Sequence, residues 1–212
     1  MSSTIVLVDD HTLFRRGLAS IIRDFPNVAH VEEASNGEAL QKLMAQPPDL
    51  ILMDVEMPGT NGLALTEQIK ATHPEVKIII ISMHDEDEYI INAIRSGADG
   101  YLLKDAEPNE LQEALVSVLN GRIYATEYVT RALRNELLHP IDSQTDGVEL
   151  TEEETQLLRL ICAEKSNKEI AQELSRSVRT VEKHRLQLLR KTGARNGVGL
   201  ALFALRQGLV AL

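Results

Sequence analysis

The feature that most constrains the fold is an alternation, over the first 124 residues, between short apolar runs rich in β-branched residues and segments of helical period. The apolar runs are continuous, a pattern typical of strands that helices cover on both faces. We therefore predict an α/β fold with a doubly wound five-stranded parallel sheet, and the alternative is a mixed α+β sheet. The predicted strands are TIVLV (4–8), the region around VAHVEE (28–33), DLILM (49–53), KIIII (77–81) and GYLL (100–103).

After residue 124 the strand pattern stops. Residues 125–148 include HPIDSQTDG, a cluster of Pro, Gly, Ser and Asp, and are predicted to be a linker. The first part of the linker, EYVTRALRNELL, keeps a helical period. The chain is thus predicted to comprise one domain at 1–124, a linker at 125–148 and a second domain at 149–212.

Residues 149–212 predict a small all-α domain of four short helices. Two S/T-x-x-E capping boxes mark helix starts, and two more starts are expected after Ser177 and near Gly197. The boxes pair Thr151 with Glu154 and Ser166 with Glu169. A close pair of short helices joined by a tight turn indicates a helix-turn-helix.

Charge is divided unevenly between these segments. The whole chain has 22 Lys+Arg and 32 Asp+Glu, a net charge of -10. Residues 1–124 contain 9 basic and 20 acidic residues, whereas residues 149–212 contain 11 basic and 8 acidic ones. An acidic first domain suits cations, and a mildly basic second domain suits a polyanion.

Nothing in the sequence indicates a membrane or a secretory route. No apolar run approaches the ~20 residues of a membrane span, and MSSTIVLVDD begins the chain with acids instead of the bases of a leader. The single cysteine, Cys162, excludes an internal disulfide and is expected to fill core space. We expect a soluble, cytoplasmic protein with no membrane partner.

Chemically active residues follow the predicted strands where parallel strands end together. Asp9 and Asp10 follow the first strand, Asp54 ends the third, Ser82 follows the fourth and Lys104 follows the fifth. Functional groups of open parallel sheets collect at this edge. Because three neighbouring carboxylates repel one another, the cluster predicts a hard divalent cation with oxygen ligands, most commonly Mg²⁺.

Asp54 is the candidate nucleophile of this cluster. A carboxylate beside Mg²⁺ and opposite an ammonium can attack a phosphoryl group and form an acyl phosphate, because the cation and Lys104 neutralise the transferred oxygens. A single Asp after a strand is more often a solvated loop carboxylate. The combination of Asp, Ser and Lys at one sheet edge favours a site.

Residues 1–124 resemble the receiver domain of two-component response regulators. The matching segments are LVDDH (7–11), LMDVEMPGTNGL (52–63) and GYLLKD (100–105), together with the Ser82 position. The resemblance implies that Asp54 is the phosphoacceptor and that Lys104 pairs with the phosphoryl oxygens. It also implies that Asp10 and Asp54 ligate Mg²⁺ directly, Asp9 acts through water and Glu56 offers its backbone carbonyl.

The same resemblance implies a conformational switch. Ser82 would hydrogen-bond the new phosphate, and Tyr101 would turn inward behind it. Without the resemblance, Tyr101 would be an edge-strand aromatic with its hydroxyl in water. Met83 stands where the family usually has a small residue, which predicts an altered lifetime of the phosphorylated state.

The third helix of the second domain, VRTVEKHRLQLLRKT (178–192), has a basic and an apolar face. At ~100° per residue Arg179, Lys183, Leu186 and Arg190 lie within about 60° of one another, and Val181 and Leu188 lie opposite. A basic helix face is often simply exposed to solvent and has no binding role. Its place as second helix of a helix-turn-helix favours entry into a DNA major groove.

This region is similar to the LuxR-type DNA-binding domain found with receivers in the NarL/FixJ regulators. SNKEIA and the spacing of Thr180, Val181 and His184 are the specific parts. The resemblance implies phosphate contacts from Lys168 and Thr180. It places Arg179, Glu182, Lys183 and Leu186 toward the groove, where Glu182 replaces the usual Lys and could accept from cytosine N4.

Together these features predict a response regulator that is not an enzyme. A sensor histidine kinase would phosphorylate Asp54, and phosphorylation would control homodimerisation and sequence-specific binding to double-stranded DNA. One alternative is a phosphohydrolase with Asp54 as nucleophile and Glu56 as second acid, which lacks a predicted substrate cap. A third possibility is a phosphorylation-independent DNA binder or docking module.

Overall fold

The structure is a computed structural model that describes residues 3–138 and 148–210. The strands in these ranges are β1 (Ser3–Val8), β2 (Val28–Ala34), β3 (Leu50–Asp54), β4 (Glu56–Met57), β5 (Thr60–Asn61), β6 (Lys77–Ser82) and β7 (Gly100–Leu103). The helices are α1 (Thr12–Arg23), α2 (Gly37–Leu43), α3 (Gly62–Thr72), α4 (Asp87–Ser96), α5 (Pro108–Leu119), α6 (Glu127–Leu138), α7 (Glu152–Cys162), α8 (Asn167–Glu173), α9 (Val178–Thr192) and α10 (Gly197–Arg206).

Five strands form one parallel sheet in the order β2-β1-β3-β6-β7. Leu7 pairs with Leu52, Leu52 with Ile79, and Ile79 with Gly100, so the strands are in register across the sheet. The predicted doubly wound α/β fold is confirmed. The antiparallel pair of β4 and β5 was not predicted, because two-residue strands leave no periodicity in a sequence.

Both faces of the sheet are buried. Ile5 and Leu7 on β1 contact the layer of α1 and α5, and their neighbours Val6 and Val8 belong to the core that α2, α3 and α4 cover. Since successive side chains point to opposite faces, a strand covered on both sides must be apolar at every position. Each fully buried Leu or Ile stabilises the fold by about 1.5–3 kcal/mol relative to its exposure.

Helices α7 to α10 enclose a separate small core that includes Leu158, Ile161, Ile170 and Leu200. Both predicted capping boxes are present, as is the Ser177 cap of α9. In the second box the Ser166 Oγ accepts from the backbone amide of Glu169 at 3.3 Å. Cys162 lies partly buried against this core, as expected.

The first part of the predicted linker is helix α6, which begins and ends where EYVTRALRNELL does. It packs along α4, and Val129 and Ala132 are buried there. The predicted loop HPIDSQTDG lies outside the described residues, and the domain boundaries at 124 and 148 remain predictions. None of the helices within 3–138 and 148–210 has both the length and the apolar character needed to cross a bilayer.

Candidate functional site

The carboxyl ends of β1, β3 and β7 bring three charged side chains together. The Nζ of Lys104 lies 2.8 Å from an Oδ2 of Asp9 and 2.8 Å from the Oδ2 of Asp54. Asp54 is only 4% exposed. Gly62 helps to form this edge, because a Cβ at that position would lie 1.9 Å from the carbonyl oxygen of Asp54. The predicted convergence of Asp9, Asp54 and Lys104 is therefore present.

Burial and charge act against each other in this pocket. Burial raises the pKa of Asp54 above its ordinary value, and the ammonium of Lys104 offsets part of that rise, while Asp9 adds to it. Burial disfavours the charged Lys104, but its bonds to Asp54 and Asp9 outweigh burial and raise its pKa. Phe14 lies beside the same ammonium, with its ring centroid 5.1 Å from Nζ. Lys104 is thus held as a cation against Asp54.

The donor set of the pocket fits a hard cation. One ligand atom from each of Asp9, Asp10, His11 and Asp54 can be chosen so that all lie within 4.8 Å of one another. The Oδ1 of Asp10 is buried and accepts no well-aligned hydrogen bond from the described residues, although the Nδ1 of His11 lies 3.1 Å away. Carboxylate oxygens with free lone pairs are the ligands that Mg²⁺ prefers. An acidic pocket suited to a divalent cation is therefore present in this chain.

His11 was not among the predicted site residues. Its ring is exposed, and Nδ1 lies 3.1 Å from the Oδ1 of Asp10. Its backbone amide donates to Asp9 Oδ1 at 2.6 Å, which fixes the rotation of that carboxylate. The available signal was its position directly after the two aspartates in LVDDH.

Glu56 lies at the rim of the pocket, and Met83 follows Ser82 in the chain. The backbone amide of Glu56 donates to Asp54 Oδ1 at 3.4 Å, while its side chain turns away to His84, with 3.2 Å between Oε1 and Nε2. The side chain of Glu56 therefore does not enter the acidic cluster, and only its backbone is near Asp54. Met83 is 74% exposed and points to solvent.

Ser82 and Tyr101 are both buried behind the pocket. The Oγ of Ser82 accepts from the backbone amide of His84 at 3.2 Å. The hydroxyl of Tyr101 donates to the carbonyl of His84 at 2.6 Å, and burial raises its pKa to about 12. The interpretation that placed this hydroxyl in water is wrong, because α6 covers the edge strand β7. Tyr128 on α6 packs edge-on at 6.4 Å and donates to the Tyr101 carbonyl.

Comparison with known families agrees with this geometry in both halves of the chain. Residues 5–116 match the family model described as response regulator receiver domain, and residues 148–204 match that of bacterial regulatory proteins of the luxR family. The chain is a two-component response regulator of the LuxR type. This family consists of transcription regulators, so the prediction that the protein is not an enzyme is confirmed and the phosphohydrolase alternative is set aside.

Relatives match over nearly the full length of this response regulator. The oxygen regulatory protein NreC of Staphylococcus aureus is 37% identical over 213 residues, covering 97% of this chain and 98% of the relative. The response regulator ChrA of a heme-sensing two-component system has a TM-score of 0.52 at 31% identity, and 99% of each chain is covered. An RcsB–DNA complex has a TM-score of 0.58 at 24% identity with full coverage of both chains, which shows a shared fold.

Helix α9 of this regulator has the two predicted faces. Val181 and Leu188 are buried in the small core, and Leu186 is half-buried. Exposed side chains on α9 include Arg179, Glu182, Lys183 and Arg190, and on α8 Lys168 is exposed. The hydroxyl of Thr180 lies at the start of α9, 2.7 Å from that of Ser177. Arg179, Thr180, Glu182, Lys183 and Leu186 line one cleft and so share a surface, as a DNA contact would require.

Arg185 does not belong to that surface. It is one of the basic residues of α9, but its side chain is buried and donates to the Oδ1 of Asn167 at 3.2 Å. Burial lowers its pKa, against the attraction of Asp99. Helical spacing cannot reveal this, because the hydrogen bond joins α9 to α8 and the attraction of Asp99 comes from the receiver domain.

The predicted groove face of α9 shares a cleft with the receiver domain. Arg179, Glu182 and Lys183 line one side of this cleft, and Pro47 and Glu75 line the other, around a volume of about 880 Å³. A DNA duplex needs that side of α9 free over the width of the major groove. In this arrangement the receiver domain lies opposite the exposed face of α9.

Proposed function

We propose that a sensor histidine kinase phosphorylates Asp54 and that the phosphoryl group controls homodimerisation and sequence-specific DNA binding, and so transcription. The observation that carries this proposal is the placement of one ammonium, on Lys104, 2.8 Å from carboxylate oxygens of both Asp9 and Asp54. A buried carboxylate held beside a cation is arranged to accept a phosphoryl group.

Mg²⁺ fits the pocket as the partner of this reaction. Asp10 and Asp54 would hold the ion directly, Asp9 through water, and Glu56 through its backbone carbonyl. Mg²⁺ supplies neutralisation of charge on the transferred oxygens. The chain itself contributes the Asp54 carboxylate as nucleophile and Lys104 as counter-charge. The hydroxyl of Ser82, at the end of β6, would donate to the phosphoryl oxygens.

Tyr101 and α4 would carry the signal from the pocket. Ser82 and Tyr101 both form hydrogen bonds with the backbone of His84. A displacement of Ser82 would therefore also displace the loop that precedes α4. A switch needs an element with two arrangements that the ligand distinguishes. The loop from Ser82 to Glu86 is positioned to be this element.

DNA recognition is assigned to α9 with the start of α8. Arg179, Lys183, Leu186 and Glu182 would read base edges, and Lys168, Thr180 and Arg190 would contact the backbone. One short helix offers few contacts, so a homodimer on two half-sites supplies the remaining affinity. Such a regulator works in the cytoplasm, where the DNA and the kinase domain are.

The cleft in front of α9 supports control by phosphorylation. While the receiver faces Arg179 and Lys183, duplex DNA is sterically disfavoured, so activation has to separate the two surfaces. A phosphorylation-independent DNA binder would not need this arrangement.

Phosphotransfer is tested by incubating the full chain with acetyl phosphate, with and without Mg²⁺, and mapping the product by mass spectrometry. We expect one phosphoryl group, on Asp54, that requires Mg²⁺ and is absent in Asp54→Asn. Phosphorylation elsewhere, or equal labelling of Asp54→Asn, would contradict the proposal. A matched control is Asp49→Asn, which alters an acid at the opposite end of β3.

A further inference from the structure

Three cationic side chains share one carboxylate near the amino-terminal ends of β6 and β7, at the edge of the sheet opposite the acidic pocket. The Oδ2 of Asp99 accepts from Lys70 Nζ at 2.5 Å, and its Oδ1 lies 3.6 Å from Lys77 Nζ. The guanidinium of Arg185 on α9 is the third cation, and it interacts electrostatically with Asp99 and Lys77. One negative charge therefore faces three positive charges.

Water compensates little of this positive charge. Arg185 is 8% exposed and Lys70 is 7% exposed. Burying a charge is costly unless an opposite charge compensates it. Burial lowers the pKa of Arg185 below its ordinary value. Asp99 raises the pKa of Lys77, but burial and the two neighbouring cations outweigh Asp99, so that this pKa also lies below its ordinary value. The group is short of negative charge.

Arg185 has donors that the described residues leave unused. Its Nη1 donates to Asn167 Oδ1 at 3.2 Å, and within residues 3–138 and 148–210 no carboxylate oxygen lies within 4.0 Å of the guanidinium. A Cβ on Gly197 would lie 3.2 Å from Nη2, so this nitrogen is close to the first residue of α10. The start of a helix carries partial positive charge, which adds to that of Arg185. A guanidinium in such a place can bind a planar or tetrahedral oxyanion.

The unused donors line a cleft with room for a small ligand. Lys77, Asp99 and Arg185 belong to the wall of the cleft of about 880 Å³ between the receiver domain and α9. Six basic and four acidic residues line this cleft. One of the acids, Asp49, already accepts from the backbone amide of Thr4 at 2.8 Å. The lining in the described part of the chain contains no Phe, Tyr or Trp, which favours a compact anion over one with an aromatic base.

We propose that Arg185 and Lys77 bind a phosphate dianion in this cleft, either inorganic phosphate or the phosphoryl group of a small phosphomonoester. The guanidinium donates to two of its oxygens, and the Lys77 ammonium supplies the second positive charge. Two negative charges from the ligand and one from Asp99 balance the three cations. The site needs neither Asp54 nor Mg²⁺, so it is independent of the proposed function.

An NMR titration of the ¹⁵N-labelled full chain tests the site. Inorganic phosphate and glycerol 3-phosphate are added separately at about pH 8, where a phosphate is mainly dianionic. Ionic strength is held constant, and EDTA removes any divalent cation that could bring phosphate to the acidic pocket. We expect saturable shifts of the backbone amides of Lys77, Arg185 and Gly197, with a dissociation constant of about 1 mM or lower for at least one of the two compounds.

Two variants each remove one of the proposed cations. Lys77→Gln and Arg185→Gln are expected to weaken binding about tenfold, the scale of one hydrogen bond to a charged group. Lys77→Gln leaves the pair of Lys70 and Asp99 in place, so it decides the outcome if Arg185→Gln fails to fold. The matched controls are Lys42→Gln and Arg190→Gln, which change an exposed lysine and an exposed arginine outside the cleft and should bind as the wild type does.

The outcomes are distinct. Tighter binding of inorganic phosphate identifies the free anion as the ligand, tighter binding of glycerol 3-phosphate identifies an ester, and either result supports the site. The absence of saturable shifts in the wild type for both compounds would overturn it. Wild-type affinity in Lys77→Gln would do the same. An equal loss in Arg190→Gln would assign the anion to the exposed basic face of α9 instead.

Discussion

The hydroxyl of Tyr101 donates a hydrogen bond to the carbonyl oxygen of His84, with 2.6 Å between the two oxygens. The bond joins the edge strand β7 to the loop that leads into α4. Tyr128 on α6 packs against the same ring, so the linker helix contributes to the position of Tyr101. Tyr101 is therefore held in place by the loop before α4 and by the linker helix α6.

Tyr101→Phe is predicted to destabilise the chain by about 1 kcal/mol, because the buried carbonyl of His84 loses its donor. The measurement is urea unfolding followed by far-ultraviolet circular dichroism, which suits a chain without tryptophan. Tyr124→Phe is the control, since its hydroxyl contact to the carbonyl of Glu110 is longer, at 3.5 Å. Equal losses in the two variants would contradict a special role for the Tyr101 bond.

Lys104→Gln is predicted to raise the pKa of Asp54 further above its ordinary value. Burial already raises that pKa, and removal of the ammonium takes away the main opposing influence. Asp9→Asn should act in the opposite direction, because it removes a neighbouring negative charge. Carbon-13 NMR of the aspartate carboxyls measures both shifts, and shifts of the same sign in the two variants would refute this account of the pocket.

Asp99→Asn is predicted to destabilise the fold by about 3 kcal/mol at neutral pH, because it leaves the buried ammonium of Lys70 unpaired. Burial opposes ionisation of Asp99, but Lys70 and Lys77 outweigh it and lower its pKa below 3.8. The stabilising contribution of Asp99 is therefore complete at pH values above its pKa in the unfolded chain. It is lost as the pH falls below 3.8 and through the lower pKa of the folded protein.

Urea unfolding at several pH values checks this prediction. The difference in unfolding free energy between wild type and Asp99→Asn should hold from pH 7 down to about pH 4 and shrink below it. The exposed Asp24→Asn is the control and should show a difference near zero. A difference for Asp99→Asn that grows as the pH falls would reverse the assigned sign.

Glu182→Gln is predicted to tighten binding to random-sequence DNA, because it removes a negative charge from the exposed face of α9. Its control is Glu164→Gln, an equal change of charge on the exposed turn after α7. Fluorescence anisotropy of labelled duplexes over a range of salt concentrations measures both. If the two variants bind DNA equally, Glu182 does not face the duplex.

Much of the receiver domain was predictable from the sequence, because the residues of the acidic pocket directly follow the apolar runs that form the strands. Continuous apolar runs identified the strands, and the residues that follow them, such as Asp54 and Lys104, therefore met at one edge. The capping boxes predicted two helix starts for the same reason, since the cap bonds join residues three apart.

Contacts between distant segments were not predictable. The Nδ2 of Asn196 donates to the carbonyl of Ile94, 102 residues away in sequence. The buried Arg185 interacts electrostatically with Asp99 of the receiver domain. The interpretation that the Tyr101 hydroxyl faces water failed for a related reason. Helix α6 covers the edge strand β7, and the periodicity of the strand does not reveal that cover. Such contacts depend on how distant segments pack together, and the spacing of neighbouring residues in the sequence does not predict that packing.

Control of DNA binding by phosphorylation is tested by the DNA affinity of the full chain with and without beryllofluoride and Mg²⁺, measured in parallel on wild type and Asp54→Asn. We expect beryllofluoride to strengthen wild-type binding at least about tenfold and to drive dimerisation, seen by analytical ultracentrifugation, while Asp54→Asn responds in neither property. Equal affinities of the wild type in both conditions, or an equal response of Asp54→Asn, would contradict it.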